Sequence, residues 1–401
     1  MLRTLLATFG IAIFGTPLCC AGATNEELHQ AARSGNLKQV EQLLAQGVPV
    51  DAKDSVGGTA LDYAAWAGET EVAGYLIRMG ADVNARHADG ATPLHYAVTG
   101  NRVDVVELLL DHGADARAVY DQGQTALHEA AAAGDSRIAA MLMAHGAKIE
   151  ARNGAGETPL EDAARSGQTA VIRLLIAKGA DVNGVNPHSG ETALHAAALQ
   201  NRAEALQALL DAGARTEVRD QSGATALDDA LRFGQVQAAR VLAVRSPLDT
   251  KAVLRDAVMR GQTNVVKMLI AGAGPLGETT LLQDAALKGQ VEMINLLLAH
   301  QADVNSRNAQ GATALHDAAL AGERAAAETL LDHGADVNAR DSESGETPLH
   351  RAASWGRVEV VELLLARGAD PSIKDKKGRT ALDLAVENGQ QDVAAVLKRK
   401  P

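Results

Sequence analysis

Short apolar clusters recur along this chain at an almost constant interval, and a glycine and a polar stretch follow each cluster. The copy that begins at Thr347 shows the pattern most clearly. Its apolar positions at helical spacing predict a first helix that starts at Pro348, after an N-cap threonine, and ends before Gly356. A second helix is predicted from about Val358 to Ala366, and Gly368 ends it.

The copies keep one register. We count twelve, and most steps between them are 33 or 34 residues. Every copy has leucine two residues after its first position and alanine five residues after it. The turn that ends the first helix has glycine in ten copies and asparagine in two, Asn101 and Asn201. Asparagine is the residue that, after glycine, best tolerates a left-handed backbone. The first positions of the copies are Glu26, Thr59, Thr92, Thr125, Thr158, Thr192, Thr225, Ala252, Thr280, Thr313, Thr347 and Thr380.

Neither helix of a copy has enough apolar surface to fold alone, so each copy is predicted to need its neighbours. The sequence Thr92-Pro93-Leu94-His95 and the segment Gly334 to Ala339 resemble the ankyrin repeat. The resemblance implies an all-α solenoid of L-shaped units, with β-hairpin fingers and with first helices that form a concave, protein-binding surface. It implies no common catalytic activity.

The spacing divides the chain. Regular copies one to seven occupy residues 24–245. After Arg245 the next two steps fall to 27 and 28 residues and the fingers shrink, so residues 246–279 are predicted to form a weak joint. Copies nine to twelve resume the full pattern over 280–401. We therefore expect one elongated array with a joint inside it.

Residues 1–23 differ in kind from the repeats. Arg3 precedes an almost unbroken apolar run from Leu5 to Gly15, and small residues follow up to Ala23. This order predicts a secretory signal peptide cleaved between Ala23 and Thr24, and therefore a periplasmic or secreted mature chain. Two alternatives stay open: an uncleaved membrane anchor, and lipid attachment at one of the two cysteines of this segment.

Composition and charge limit the possible partners. The formal net charge is −12, and removal of Arg3 would make it −13. This balance disfavours nucleic acid or an anionic membrane as the main partner. Both cysteines lie in the first 23 residues, so the mature chain would have no thiolate or disulfide chemistry. We expect a monomer that binds another protein.

The residues that could suggest a metal, catalytic or cofactor site are explained by the repeat pattern. The position of each of the twelve histidines follows from the repeat, and the motif histidine is implied to tie one turn to the next. The segment Gly272 to Gly277 fits a dinucleotide-binding glycine pattern, but it follows a helix and contains proline, so a tight turn is predicted. We expect no metal site, no cofactor and no catalytic residue.

An acidic stripe lies four residues after the first position of many copies. An acidic groove for a basic partner is one interpretation. The other is pairing with Arg165, Arg232, Arg260 and Lys288, which follow four of these acids at three- or four-residue spacing on the same helices. The acids are Glu129, Asp162, Asp229, Asp256, Asp284 and Asp317.

Aromatic residues are the stronger signal for a binding site. The mature chain has seven, and six occupy positions where the family binds partners: Tyr63 and Tyr96 on first helices, Trp66, Phe233 and Trp355 at helix ends, and Tyr120 in a finger. Tyr63, Trp66 and Tyr96 are predicted to form one aromatic patch that anchors the partner. Packing between repeats is the alternative. Tyr75 is expected in the core.

The sequence therefore predicts an exported, non-enzymatic scaffold that binds a partner protein through the concave face of the array. The alternative is an accessory protein that holds, protects or regulates a specific exported enzyme.

Overall fold

The computed structural model describes residues 24–245, 250–271 and 280–399. The predicted signal peptide, the glycine-rich turn and most of the two shortened fingers lie outside these residues. The described residues form 24 α-helices that follow one another in pairs, together with one short β-hairpin. The all-α class predicted from the sequence is therefore correct.

The chain divides into two compact units. Among the described residues, the first unit runs to 245 apart from 231–236, and the second comprises 231–236, 250–271 and 280–399. Helices that belong mainly to the first unit are α1 Asn25–Arg33, α2 Leu37–Ala45, α3 Ala60–Ala67, α4 Thr70–Arg78, α5 Pro93–Thr99, α6 Val103–Asp111, α7 Ala126–Ala133, α8 Ser136–Ala144, α9 Pro159–Ser166, α10 Thr169–Ala177, α11 Ala193–Leu199, α12 Ala203–Asp211, α13 Ala226–Arg232 and α14 Val236–Ala243. Those of the second unit are α15 Thr250–Met259, α16 Thr263–Ile270, α17 Leu281–Leu287, α18 Val291–Ala299, α19 Ala314–Ala321, α20 Arg324–Asp332, α21 Pro348–Ser354, α22 Val358–Ala366, α23 Ala381–Glu387 and α24 Gln391–Arg399.

Local chemistry sets the ends of these helices. Helix α21 begins at Pro348, after Thr347, whose hydroxyl oxygen accepts a hydrogen bond from the backbone N–H of His350. A left-handed residue ends the turn after each first helix. Asn101 and Asn201 both have φ of 55°, so the two copies without glycine adopt the backbone that the sequence predicts.

Through most of each unit the first helices pack on one another in chain order, and so do the second helices. In the first unit, for example, α3 packs on α1 and α5, while α4 packs on α2 and α6. The recurring leucine and alanine lie in these interfaces, as Leu94 and Ala97 do with no exposed surface. Small residues allow close helix approach, so the layer is thin and needs few aromatic residues.

The fingers only partly match the expectation. Strands β1 Val119–Tyr120 and β2 Gln124–Thr125 form an antiparallel hairpin. The other described fingers are tight turns without strands, which corrects the predicted series of β-hairpins. Asp54 shows the reason, because its carboxylate accepts hydrogen bonds from the backbone N–H groups of Val56 and Gly58. A side-chain acceptor of this kind closes a turn in place of strand pairing.

Asparagine clips connect successive fingers in both units. The amide nitrogen of Asn84 donates to the carbonyl of Gly113, and its amide oxygen accepts from the backbone N–H of Asp115 at 2.8 Å. The same pair of bonds recurs at three other positions, which are Asn183, Asn305 and Asn338. Each clip satisfies backbone groups of the following copy and so fixes the register between neighbours.

Candidate functional site

The motif histidines hold one copy to the next. In copy three, the hydroxyl of Thr92 lies 2.9 Å from Nδ1 of His95, and the Thr92 backbone N–H donates to the same nitrogen. The opposite nitrogen, Nε2, lies 3.2 Å from the carbonyl oxygen of Ala118. A carbonyl can only accept, so Nε2 carries the proton and Nδ1 is the acceptor. The ring is therefore neutral and fixed, which is the structural role that the resemblance implied.

Burial disfavours the charged form of His95 and His316. Desolvation lowers the pKa of His95 to about 4, although the hydrogen bond to Ala118 acts in the opposite direction. Desolvation also lowers the pKa of His316 to about 4 in the second unit. A buried neutral imidazole with both nitrogens engaged has no free electron pair for a metal. Among the described residues no group of three or more His, Cys, Asp or Glu side chains could hold a metal ion.

The acidic stripe does not form an open groove. Asp284 is buried, and Arg255 of the preceding first helix donates to it at 2.8 Å. Asp317 lies 3.7 Å from Arg351 of the next first helix. Of the predicted pairs within one helix, Asp256 with Arg260 is present at 2.7 Å. Arg165 instead bonds Glu157, so this pair differs from the sequence-based expectation.

Two of the predicted binding aromatics are interior residues. Tyr96 is 2% exposed, and the ring of His87 meets it edge-on with 5.8 Å between centroids. Tyr120 is 5% exposed, and its hydroxyl donates to Glu129 at 2.5 Å. The expectation that both lie on the surface is therefore wrong. Each packs against a polar partner of a neighbouring copy or helix, and periodicity alone does not reveal such partners.

Tyr63 and Trp66 are half-buried. The Tyr63 ring stacks on His29 at 5.2 Å, and its hydroxyl donates to Asp54 at 2.6 Å. The guanidinium carbon of Arg33 lies 5.1 Å from the centre of the Trp66 ring, which is a cation–π contact. Much of each ring is therefore in contact with other residues of the first unit. Tyr75, expected in the core, is also half-buried, and Arg78 lies over its ring.

Phe233 and Trp355 have the exposure that a partner site requires, at 58% and 59%. Both lie in the turn immediately after a first helix. Other exposed apolar side chains share this location at the ends of first helices in the second unit. We call this set the helix-end stripe, and its members are Phe233, Met259, Leu287, Trp355 and Val386.

From Met259 to Val386 the stripe follows stacked helices. Helix α15 packs on α17, α17 on α19, α19 on α21 and α21 on α23, so their ends lie in series about 8 to 10 Å apart. Sequence reasoning missed Met259, Leu287 and Val386 because it considered only aromatic residues. Aligning the copies at the end of the first helix would have found them.

Cations border the stripe in a chain that is acidic overall. Exposed Arg232 precedes Phe233, and exposed Arg260 and Lys288 directly follow Met259 and Leu287. Arg260 has a carboxylate partner in Asp256. Apolar side chains next to cations suit a partner segment that combines apolar and acidic residues.

A second feature lies in the first unit. Asp54, Asp62, Tyr63, His87 and Tyr96 line a cavity of about 10 Å³, which is the space of about one water molecule. Such a volume is far below that of pockets for cofactors or small-molecule substrates. Burial raises the pKa of Asp62 to about 7, against hydrogen bonds from Thr59 that lower it.

Comparisons with known proteins agree with the fold. Family models for ankyrin repeats match residues 28–120, 114–186, 182–252 and 254–341, and a second ankyrin model matches 330–385. No curated protein matches the chain. Among solved structures, the chain is similar to the human ASB11 ankyrin repeat domain, at 31% identity and a TM-score of 0.50, over 55% of this chain and 98% of that one. No helix in the described ranges is long and apolar enough to cross a membrane.

Proposed function

The chain belongs to the ankyrin repeat family, and we propose that it is an exported, monomeric, non-enzymatic scaffold that binds another protein through the helix-end stripe of its second unit. Ankyrin repeats are generally protein-interaction modules, which supports the binding role. The observation that carries the choice of surface is the exposure of Phe233 and Trp355 at equivalent ends of first helices.

Energetics favour these two residues as anchors. Large aromatic side chains remove much apolar area from water at a low entropic cost, and truncation of such an anchor often costs about 2 kcal/mol or more of binding free energy. The exposed parts of Trp355 and Phe233 do not contribute to packing within the unit. An exposed apolar series of this kind typically marks an interaction site in a soluble protein.

Export is the second part of the proposal, and residues 1–23 support it by their sequence alone. N-terminal sequencing of the protein recovered from the envelope or medium should begin at Thr24. Retention of Met1 would contradict cleavage.

The binding experiment compares two variants of the full mature chain. Affinity capture from the native compartment identifies partners, and titration of the purified partner then measures affinity. F233A/W355A should weaken binding at least about tenfold. The matched control is Met79→Ala, which removes an exposed apolar side chain at the end of a second helix in the first unit and should bind as the unaltered chain does.

If F233A/W355A binds with unchanged affinity and Tyr63→Ala/Trp66→Ala loses affinity, the partner binds to the first unit and the proposed surface is wrong. If the captured partner is an enzyme, its activity with and without the chain separates a scaffold from an accessory role.

A further inference from the structure

The cavity of the first unit contains one acceptor whose bonding is incomplete. Asp62 is 1% exposed, and its Oδ2 accepts from both the backbone N–H and the hydroxyl of Thr59, at 2.8 and 2.9 Å. Its Oδ1 is buried and has no hydrogen-bond partner within the described part of the chain. A buried acceptor without a partner is costly, so it favours any donor that can reach it.

The surroundings specify the charge of that donor. The other carboxylate of the cavity, Asp54, accepts from the Tyr63 hydroxyl and from two backbone N–H groups, and these bonds lower its pKa although its burial alone would raise it. Asp54 is therefore an anion. Burial raises the pKa of Tyr96, and the negative charges of Asp89 and Asp54 raise it further. The carboxylates of Asp54 and Asp89 therefore place negative charge at the cavity, which favours a cation.

Size and shape narrow the class of cation. A volume of about 10 Å³ accommodates a group as small as a water molecule or an ammonium head, and a planar guanidinium is larger. A primary ammonium has three N–H donors, and Asp62 Oδ1 together with phenolic and carboxylate oxygens offers acceptors for them. The aromatic residues Tyr63 and Tyr96 also line the cavity.

We propose that the cavity formed by Asp54, Asp62, Tyr63, His87 and Tyr96 is a binding site for a primary ammonium group, namely a lysine side chain of a partner protein. This site is chemically different from the helix-end stripe. It does not depend on the stripe as the partner surface, because the observations that support it lie entirely in the first unit.

The test uses the full mature chain with 3-fluorotyrosine in place of its tyrosines, which gives four fluorine signals. The probe is N-acetyl-lysine methylamide. Saturable shifts should appear at Tyr63 and Tyr96 with millimolar affinity, while the signals of Tyr75 and Tyr120 stay constant as internal controls. The norleucine analogue, which lacks the ammonium, should produce no shift.

Two variants sharpen the test. Asp62→Asn keeps the size of the side chain and should weaken the lysine probe at least about tenfold. Glu161→Gln is the matched control, because Glu161 has the same place beside Thr158 in a copy without these tyrosines, and it should leave binding unchanged. A thermal melt of each variant confirms that it is folded.

Three outcomes would overturn the proposal. Shifts of equal size with sodium chloride would show a general ionic effect. Equal binding of the arginine analogue would remove the size argument. No saturable shift with the lysine probe in the unaltered chain would mean that the cavity holds water only.

Discussion

The two units are built from the same repeat but treat their large side chains in opposite ways. In the first unit, Tyr96 and Tyr120 are buried, and Tyr63 is half-covered, each against a histidine ring or a carboxylate. In the second unit, Phe233 and Trp355 lie on the surface. For Tyr63 and Tyr96, which lie on first helices, the difference follows from position along the helix.

Four residues after the start of a copy, a side chain lies in a polar layer between copies. A tyrosine at this position is accommodated because its hydroxyl finds an acceptor, as Tyr63 does in Asp54. In the second unit the same position holds Asp284 and Asp317, which meet Arg255 and Arg351 of adjacent first helices. Phe233 and Trp355, in the turn after a first helix, lie beyond this layer and are exposed, whereas Trp66 near the end of α3 is half-buried.

The largest expected effect separates burial from exposure. Tyr96→Ala should lower the free energy of unfolding by about 3 to 5 kcal/mol, because it removes a buried aromatic ring and leaves a cavity. Trp355→Ala should change it by no more than about 0.5 kcal/mol. Urea unfolding monitored by circular dichroism measures both. Equal losses for the two variants would contradict the contrast between the units.

The second prediction concerns what the units share. His95 and His316 have folded-state pKa values of about 4, below the 6.5 of an exposed histidine, so protonation favours unfolding. Their stabilising contribution is complete above about pH 6.5 and is lost as the pH falls toward about 4. Below about pH 4 the lost contribution to the free energy of unfolding is about 3 kcal/mol for each ring.

Buried carboxyl groups whose pKa is raised, such as Glu161, change stability in the opposite sense over an overlapping pH range. Burial raises the pKa of Glu161 to about 7, so its contribution is complete at low pH and is lost as the pH rises. The histidine contribution is therefore measured as a difference between variants. Glutamine is the natural replacement, because Gln283 occupies the histidine position in its copy and donates to Ser306 as the ring would.

His95→Gln and His316→Gln should each flatten the loss of stability between pH 6.5 and pH 5 relative to the unaltered chain. Urea titrations at four pH values measure this slope. Identical slopes in the variants and the unaltered chain would contradict the role of the neutral rings.

The repeat register could be predicted from the sequence because it depends on local chemistry. The N-cap threonine, the proline at the first helical position and the left-handed glycine or asparagine act within a few residues. Helix α22 accordingly has the predicted bounds, Val358 to Ala366. Burial was harder to predict for Tyr96 and Tyr120, since it depends on which side chain of a neighbouring copy lies opposite.

The same limit explains the charge pairs. Spacing on one helix correctly predicted Asp256 with Arg260, where both partners are exposed. It failed for Asp284, because Arg255 lies one copy away and no periodicity relates the two positions. The incomplete bonding of Asp62 likewise depends on how Thr59 divides its two donors, which only the three-dimensional arrangement shows.

The smallest expected effect tests whether the two units differ only in their large aromatic side chains or also in the interfaces between copies. Asn84 of the first unit and Asn338 of the second make the same two bonds to the next copy, with backbone N–H distances of 2.8 and 2.9 Å. Both lie in exposed surroundings, where a hydrogen bond contributes about 0.5 to 1.5 kcal/mol. Asn84→Ala and Asn338→Ala should therefore each lower the free energy of unfolding by about 1 to 2 kcal/mol, and by similar amounts.

Asn84→Asp and Asn338→Asp are the controls, because each retains the acceptor for the backbone N–H and loses only the donor to the glycine carbonyl. It should cost less than alanine in both units. A cost at Asn84 without one at Asn338 would show that the stacking itself is weaker in the second unit, and the contrast between the units would then extend beyond their aromatic residues to the interfaces between copies.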